Sequence, residues 1–302
     1  MASAAEMIVE PKWVVKNFGN VRFLDATWTF RQKMNPAEYR AKYYKKFGVA
    51  MNELKNQEYL NEHINGAAHF NFDIAYYPSD EQRFTLYEPD AFSAYVKRLG
   101  VFNGDHVVIY ARGMDGGMPN ASRAYWTFRY YGYTNVSVLN GGLDAFKSAQ
   151  GVVQSGESMI SPGNFETTTT DASILARLAD VPFDNLSSVK YLDARTRTEF
   201  LGKVPIGYPD SKAVGVRCKD AIHFPVAEVC DTKGFKKKAD CDRAFAAKGV
   251  KPGDTVIISC GVGVSAAAIW LCAARSGIAA RVYNGGIHEL AVVAPHHLSV
   301  KG

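Results

Sequence analysis

The sequence predicts an α/β protein made of two tandem domains, each a mostly parallel sheet with helices on both faces. Three observations predict it. The chain has 302 residues, about twice the size of a common domain. Its two halves resemble each other at four places in the same order. Within each half, short apolar runs alternate with helical patterns, the arrangement that yields a parallel sheet covered on both sides.

The repeat sets the order of elements. Val21 to Ala26 (VRFLDA) answers Val189 to Ala194 (VKYLDA), and Ala67 to Phe70 (AAHF) answers Ala221 to Phe224 (AIHF). Leu99 to Tyr110 (LGVFNGDHVVIY) answers Lys248 to Ser259 (KGVKPGDTVIIS), and Val136 to Gly142 (VSVLNGG) answers Ala280 to Gly286 (ARVYNGG). Val107 to Tyr110 and Val256 to Ser259 read as buried strands. Ser122 to Tyr131 and Ser265 to Ser276 read as helices entered through a capping Ser, with Gly132 and Gly277 where each should stop. Residues 151–171 are rich in Ser, Gly and Thr and lack apolar periodicity, which predicts a linker crossing the first domain's surface. The expected division is therefore 8–150, linker 151–171, and 172–302.

Composition narrows the function classes. Hydrophobic residues are 47% and charged residues 22%, so each half can bury a core without disulfides or metals. The net charge of +5 is scattered apart from Lys236 to Lys238, which reads as a solvated loop or helix start; no nucleic-acid partner is expected. Val264 to Ala274 is too short to cross a bilayer, and Met1 to Glu10 has neither the apolar core of a secretory signal nor the arginines of a transit peptide. Five cysteines, an odd number without framework spacing, suit a reducing compartment, so the expected location is cytoplasmic with no membrane partner.

One loop carries the chemistry. The strand Thr255 to Ser259 runs into Cys260-Gly261-Val262-Gly263-Val264-Ser265 and then into a helix. Ligand sites in parallel sheets form at the carboxyl ends of strands. A thiol there faces a helix N-terminus, and two glycines let backbone N–H groups turn inward as an anion nest. These features predict a nucleophilic Cys260 with a lowered pKa, and a cradle for the outer sulfur of a persulfide. A buried, inert cysteine at a strand end is the plain alternative. Counting six residues on from Asp254 reaches Cys260, whereas six from Asp105 reaches Ala111, so the first domain lacks the nucleophile.

This set resembles the rhodanese superfamily, and within it the 3-mercaptopyruvate and thiosulfate sulfurtransferases, whose loops read C-G-S-G-V-T or C-R-K-G-V-T. The resemblance covers nearly the whole chain, including Leu24 to Trp28 (LDATW), His63 to Ala67 (HINGA), Trp126 to Gly132 (WTFRYYG), and Leu192 to Phe200, which looks like D-x-R-x-x-x-E-F. It implies a first domain without activity and an active second one with the site at their interface. It also implies a two-step cycle in which Cys260 takes sulfur from a small donor and yields it to cyanide, a small thiol or thioredoxin, with no metal or organic cofactor. The same resemblance makes Asp73, Arg195, Glu199 and Arg217 the candidate substrate or acid–base residues and gives His63 a structural role.

The chain departs from the pattern at several positions. Val262 stands where mercaptopyruvate enzymes have Ser, and Glu199 where they have a carboxylate-binding arginine; Tyr208 lies near a second such arginine. A carboxylate there would repel an anionic donor. Arg217 and Lys219 could bring positive charge from another direction. These departures keep open a second reading, a divergent binding or regulatory module. A cysteine phosphatase would need Arg six residues after the Cys, where Ala266 stands. Cys218, His223, Cys230 and Cys241 lack paired metal-ligand spacing, and Cys272 reads as core.

Overall fold

The computed structural model describes residues 5–204 and 216–300. Two five-stranded sheets, each wholly parallel, form its frame. The first contains Ile8–Val9, Arg22–Asp25, Ala68–His69, Val107–Tyr110 and Val136–Leu139. The second contains Leu175–Ala176, Lys190–Asp193, Ile222–His223, Val256–Ser259 and Ala280–Tyr283. Counted within its own half, each sheet has the spatial order first, fifth, fourth, second, third. The internal repeat is thus a repeat of topology as well as of sequence.

The central strands read as continuous apolar runs because helices cover both faces of the sheet. Val107–Tyr110 and Val256–Ser259 are buried at every position. In each half the strand leads into the longest helix, Met118–Tyr130 in the first and Val264–Arg275 in the second. These two helices pack against each other, and Tyr125 and Trp270 meet with ring centroids 6.3 Å apart. One apolar cluster therefore runs from Leu24 and Phe70 of the first half to Leu192, Ile258 and Ile269 of the second. Burial of such area is the main favourable term in folding, and here it also fixes the two halves relative to each other.

Both helices begin differently from expectation. Their N-caps are Gly117 and Gly263, in left-handed conformation with φ of +77° and +83°, rather than the serines. A left-handed residue lets the chain turn sharply out of the strand, which a capping Ser in extended conformation cannot do. Gly132 and Gly277 do follow the helix ends, with φ of +76° and +71°. Lys238 opens the helix Lys238–Ala247 and pairs with Asp242 at one turn's spacing. Residues 151–171 run along the first half: Val153–Gln154 pairs with His63–Ile64, and Phe165 is fully buried, its N–H donating to Val101 O.

Candidate functional site

Cys260 follows the strand Val256–Ser259 and is 3% exposed, at the floor of a cleft of about 570 Å³. Gly263 N–H donates to Cys260 Sγ at 3.1 Å, and the N–H groups of Ala266 and Val262 also face the sulfur. The left-handed backbone falls on Gly263, not on Gly261. Backbone N–H groups of the loop thus turn toward the sulfur. The sign of the pKa shift is not as expected: burial pushes the Cys260 thiol up, against the N–H groups of Ala266, Val262 and Gly263, and Asp193 adds to the rise. Sequence reasoning counted the donors but could not see how completely the sulfur is removed from water.

Both halves wall the cleft. The second half contributes Arg195, Arg197, Glu199 and Val226, with Gly261, Val264 and Ser265 from the loop itself. The first half contributes Phe30, Met114, Asp115 and Pro119. The Val262 side chain is 2% exposed and belongs to the apolar core, so this residue offers the sulfur its N–H only. A hydroxyl at position 262 would be buried in that core rather than facing a donor.

The candidate substrate residues fare unevenly. Arg195 lines the cleft but is committed to Asp193: Nη2 donates to Oδ2 at 2.7 Å, and Nε donates to Oδ1 at 3.0 Å. The pair is buried, which makes Arg195 a structural counter-ion before anything else. Glu199 lines the cleft with its carboxylate turned to the start of its own helix, where Oε2 accepts from Thr196 N at 3.0 Å and Thr196 Oγ1 at 2.6 Å. This is a capping box, and it weakens the expected repulsion of an anionic donor. Arg217 is not in the cleft wall; its guanidinium stacks 4.9 Å over the Phe200 ring.

Asp73 does not line the Cys260 cleft. It lies with Lys33, Tyr76 and Arg83 in a small separate pocket within the first half, and accepts from Trp28 Nε1 at 3.4 Å. Burial raises its pKa, while Arg83 and Arg31 oppose the rise. The sequence identified an acidic position but not which pocket it would line. His63 is buried, with ring nitrogens at 2.8 Å from Tyr59 O and 3.0 Å from Ser158 Oγ, consistent with a role in holding a loop. Tyr208 lies outside the described residues.

Sequence reasoning missed Arg197, an exposed cation in the cleft wall, two residues before Glu199. Its position in the same short segment was a usable signal. Met114 and Asp115 had none, because a wall supplied by another domain carries no local pattern. Burial also raises the Asp115 carboxyl, with Asp231 adding and Lys236 opposing. Among the described residues no group of three or more His, Cys, Asp or Glu could hold a metal, and no helix is long and apolar enough to cross a membrane.

A cysteine-bearing loop at the end of a parallel strand, in the second of two like-folded halves, defines a tandem rhodanese-fold protein. Residues 53–149 match the rhodanese-like domain family. The chain is 62% identical to the Caenorhabditis elegans protein mpst-4, which carries a provisional thiosulfate sulfurtransferase name, over 99% of this chain and 88% of that one. It is 30% identical to thiosulfate sulfurtransferase of Bos taurus over 93% of this chain and 91% of the other. The crystal structure of SseA from Escherichia coli, described as a 3-mercaptopyruvate sulfotransferase with the rhodanese fold, superposes with a TM-score of 0.72 at 23% identity, covering 93% of this chain and 99% of that one. The chain belongs to the tandem rhodanese-domain sulfurtransferase family.

Proposed function

We propose that this chain is a sulfurtransferase that carries sulfur as a persulfide on Cys260. The observation that supports it best is the sulfur itself, set at the floor of a two-domain cleft and faced by three backbone N–H groups. The Cys260 thiolate attacks the sulfur of a small donor of the thiosulfate or 3-mercaptopyruvate type. With thiosulfate the S–S bond breaks and sulfite leaves with the electron pair. With 3-mercaptopyruvate the C–S bond breaks, and the pyruvate enolate leaves and takes up a proton. The N–H groups then hold the outer sulfur of Cys260–S–S⁻ as they would an anion. A thiol such as a small thiol or thioredoxin, or cyanide, accepts that sulfur and frees Cys260. Arg197 is the cation placed to meet the donor's negative charge, since Arg195 is held by Asp193. The cycle needs no cofactor, and a cytoplasmic setting suits a protein whose five cysteines are all free thiols.

Intact-protein mass spectrometry after incubation with thiosulfate, and separately with 3-mercaptopyruvate, tests this directly. The expected result is a gain of one sulfur that cyanide removes and that Cys260→Ser lacks. A folded protein with a free Cys260 thiol that gains no sulfur from either donor would favour the binding-module reading. Because burial raises the thiol, loading should still be accelerating with pH where an ordinary exposed cysteine is already fully ionised.

A further inference from the structure

The first half has lost the nucleophile, yet it reaches the Cys260 loop from behind. The segment Asn284-Gly285-Gly286-Ile287-His288 backs that loop: Ile287 N–H donates to Cys260 O at 2.9 Å and His288 N–H to Gly261 O at 3.1 Å. The approach is so close that a Cβ on Gly286 would fall 2.5 Å from both carbonyl oxygens. Asn284 is in turn gripped by the first half. Its Oδ1 accepts from Arg123 Nη2 at 2.6 Å, and its Nδ2 donates to Gln82 Oε1 at 2.9 Å and to Phe84 O at 3.0 Å. Gln82 Nε2 also donates to Glu289 Oε1 at 2.7 Å, one turn further on.

Arg123 is the centre of this grip. It is fully buried on the helix Met118–Tyr130, its guanidinium 4.7 Å from the Tyr76 ring centroid and 4.8 Å from that of Trp126. A Cβ on Gly263, the residue whose N–H meets the sulfur, would lie 3.0 Å from Arg123 Nη1 and 2.9 Å from Asn284 O. A buried guanidinium is costly unless its surroundings hold it in one geometry, and here two rings and an amide oxygen do so.

We propose that Arg123 is a positioning residue for the nucleophile: through Asn284 and by packing on Gly263, it fixes the loop so that the N–H groups stay aimed at Cys260 Sγ. This rests on Cys260 being the sulfur carrier. Arg123 touches no reacting atom; it acts through Asn284 and Gly263. The first half thereby supplies the rigid back of a site whose front it also walls. Other titratable or charged groups around the loop are Asp193 with its partner Arg195, Arg197 and Glu199 in the cleft wall, Asp115 opposite, and His288 and Glu289 in the helix behind.

The test uses the full chain with Arg123→Met, Arg123→Lys and Gln82→Ala. Three readouts are thermal unfolding, the pH profile of Cys260 alkylation by iodoacetamide, and the rate of sulfur gain from thiosulfate and from 3-mercaptopyruvate. In folded Arg123→Met the alkylation midpoint should move to higher pH and sulfur gain should slow by about tenfold or more, because the N–H donors lose their aim. Arg123→Lys should recover part of both. Gln82→Ala, which loosens Asn284 from the rim, should show the same direction at roughly threefold. Folded Arg123→Met with the native profile and rate would overturn the proposal, because Met keeps much of the bulk and loses only the charge and its hydrogen bond. If that variant does not fold, a native profile in Gln82→Ala overturns it instead. Alkylation needs no donor: a shifted profile in a protein that never gains sulfur would sink the sulfur-transfer reading and leave the positioning role standing.

Discussion

The two halves share one sheet topology, and the comparison that matters for the site is the turn after each fourth strand. In the second half Cys260 is followed after two residues by the left-handed Gly263 and its helix; in the first, Ala111 is separated from the left-handed Gly117 by five. The bracing behind the turn is the same in both. Leu143 N–H donates to Ala111 O at 3.1 Å, as Ile287 N–H does to Cys260 O at 2.9 Å. Gly142 and Gly286 have φ of +60° and +59°, and each lies against the carbonyl of its own strand-end residue, Ala111 or Cys260. What distinguishes the halves is the length and aim of the turn. A short turn points its N–H groups at the residue leaving the strand, whereas the longer one extends Met114 and Asp115 into the partner's cleft. The repeat with Ala at its strand end serves as a wall for the one with Cys.

The largest effect comes from exchanging the two residues. Cys260→Ala should abolish sulfur gain in mass spectrometry, and adding Ala111→Cys should not restore it. Position 111 is fully buried, and its turn is three residues longer, so a thiol there would lack the short-turn cradle. Sulfur on a Cys at 111 would show that strand-end position alone suffices and that the turn does not matter.

The buried aspartates give the next comparison. Asp25 and Asp193 end equivalent strands, and both are fully buried. Asp193 is neutralised from two residues on by Arg195 at 2.7 Å, while Asp25 has Thr27 at that position and takes its cation from Arg112 at 3.6 Å. Arg195→Met strands a buried carboxylate, so unfolding free energy in denaturant titration should fall by about 3–5 kcal/mol. A loss under about 1 kcal/mol would mean that Asp193 is satisfied elsewhere and would return Arg195 to the list of substrate ligands.

A matched glycine pair separates bracing from chemistry. Gly286→Ala and Gly142→Ala each force a side chain into left-handed backbone and onto a carbonyl, at 2.5 Å from Cys260 O and 2.1 Å from Ala111 O respectively. Each should cost roughly 2–4 kcal/mol by thermal or chemical unfolding. At a temperature where both remain folded, only Gly286→Ala should slow Cys260 alkylation. Equal slowing by both would mean that the halves couple through the whole interface rather than through the loop's own back.

The topology was legible in the sequence because the repeat preserved it: the strand pairs around Leu24 and Leu192, or Ile109 and Ile258, occupy equivalent places in the two sheets. The Cys260 loop was legible because strand, glycine and helix are contiguous. The charge logic of the cleft was not. Arg195, Glu199 and Asp73 all looked like ligands by position, yet a buried counter-ion, a helix cap and a separate pocket respectively use their side chains, and only three-dimensional neighbours reveal that. The sign of the Cys260 shift failed for the same reason: backbone donors are written in the loop, while desolvation depends on how the folded chain buries the sulfur.

The smallest effect should come from Glu199→Gln. Gln can still accept from Thr196 N and Oγ1, so the capping box survives and stability should change by less than about 0.5 kcal/mol. If the carboxylate stays turned to its helix, neutralising it should change the rate of sulfur gain from an anionic donor by no more than roughly threefold at moderate salt, where exposed charges are screened. Arg197→Gln, on the same segment and facing the cleft without a neighbouring cap to hold, should slow the same reaction by more. The ratio of the two effects is the decisive quantity. A large gain from Glu199→Gln alongside no loss from Arg197→Gln would mean that the carboxylate leaves its cap when a donor enters, and that this position sets donor charge after all.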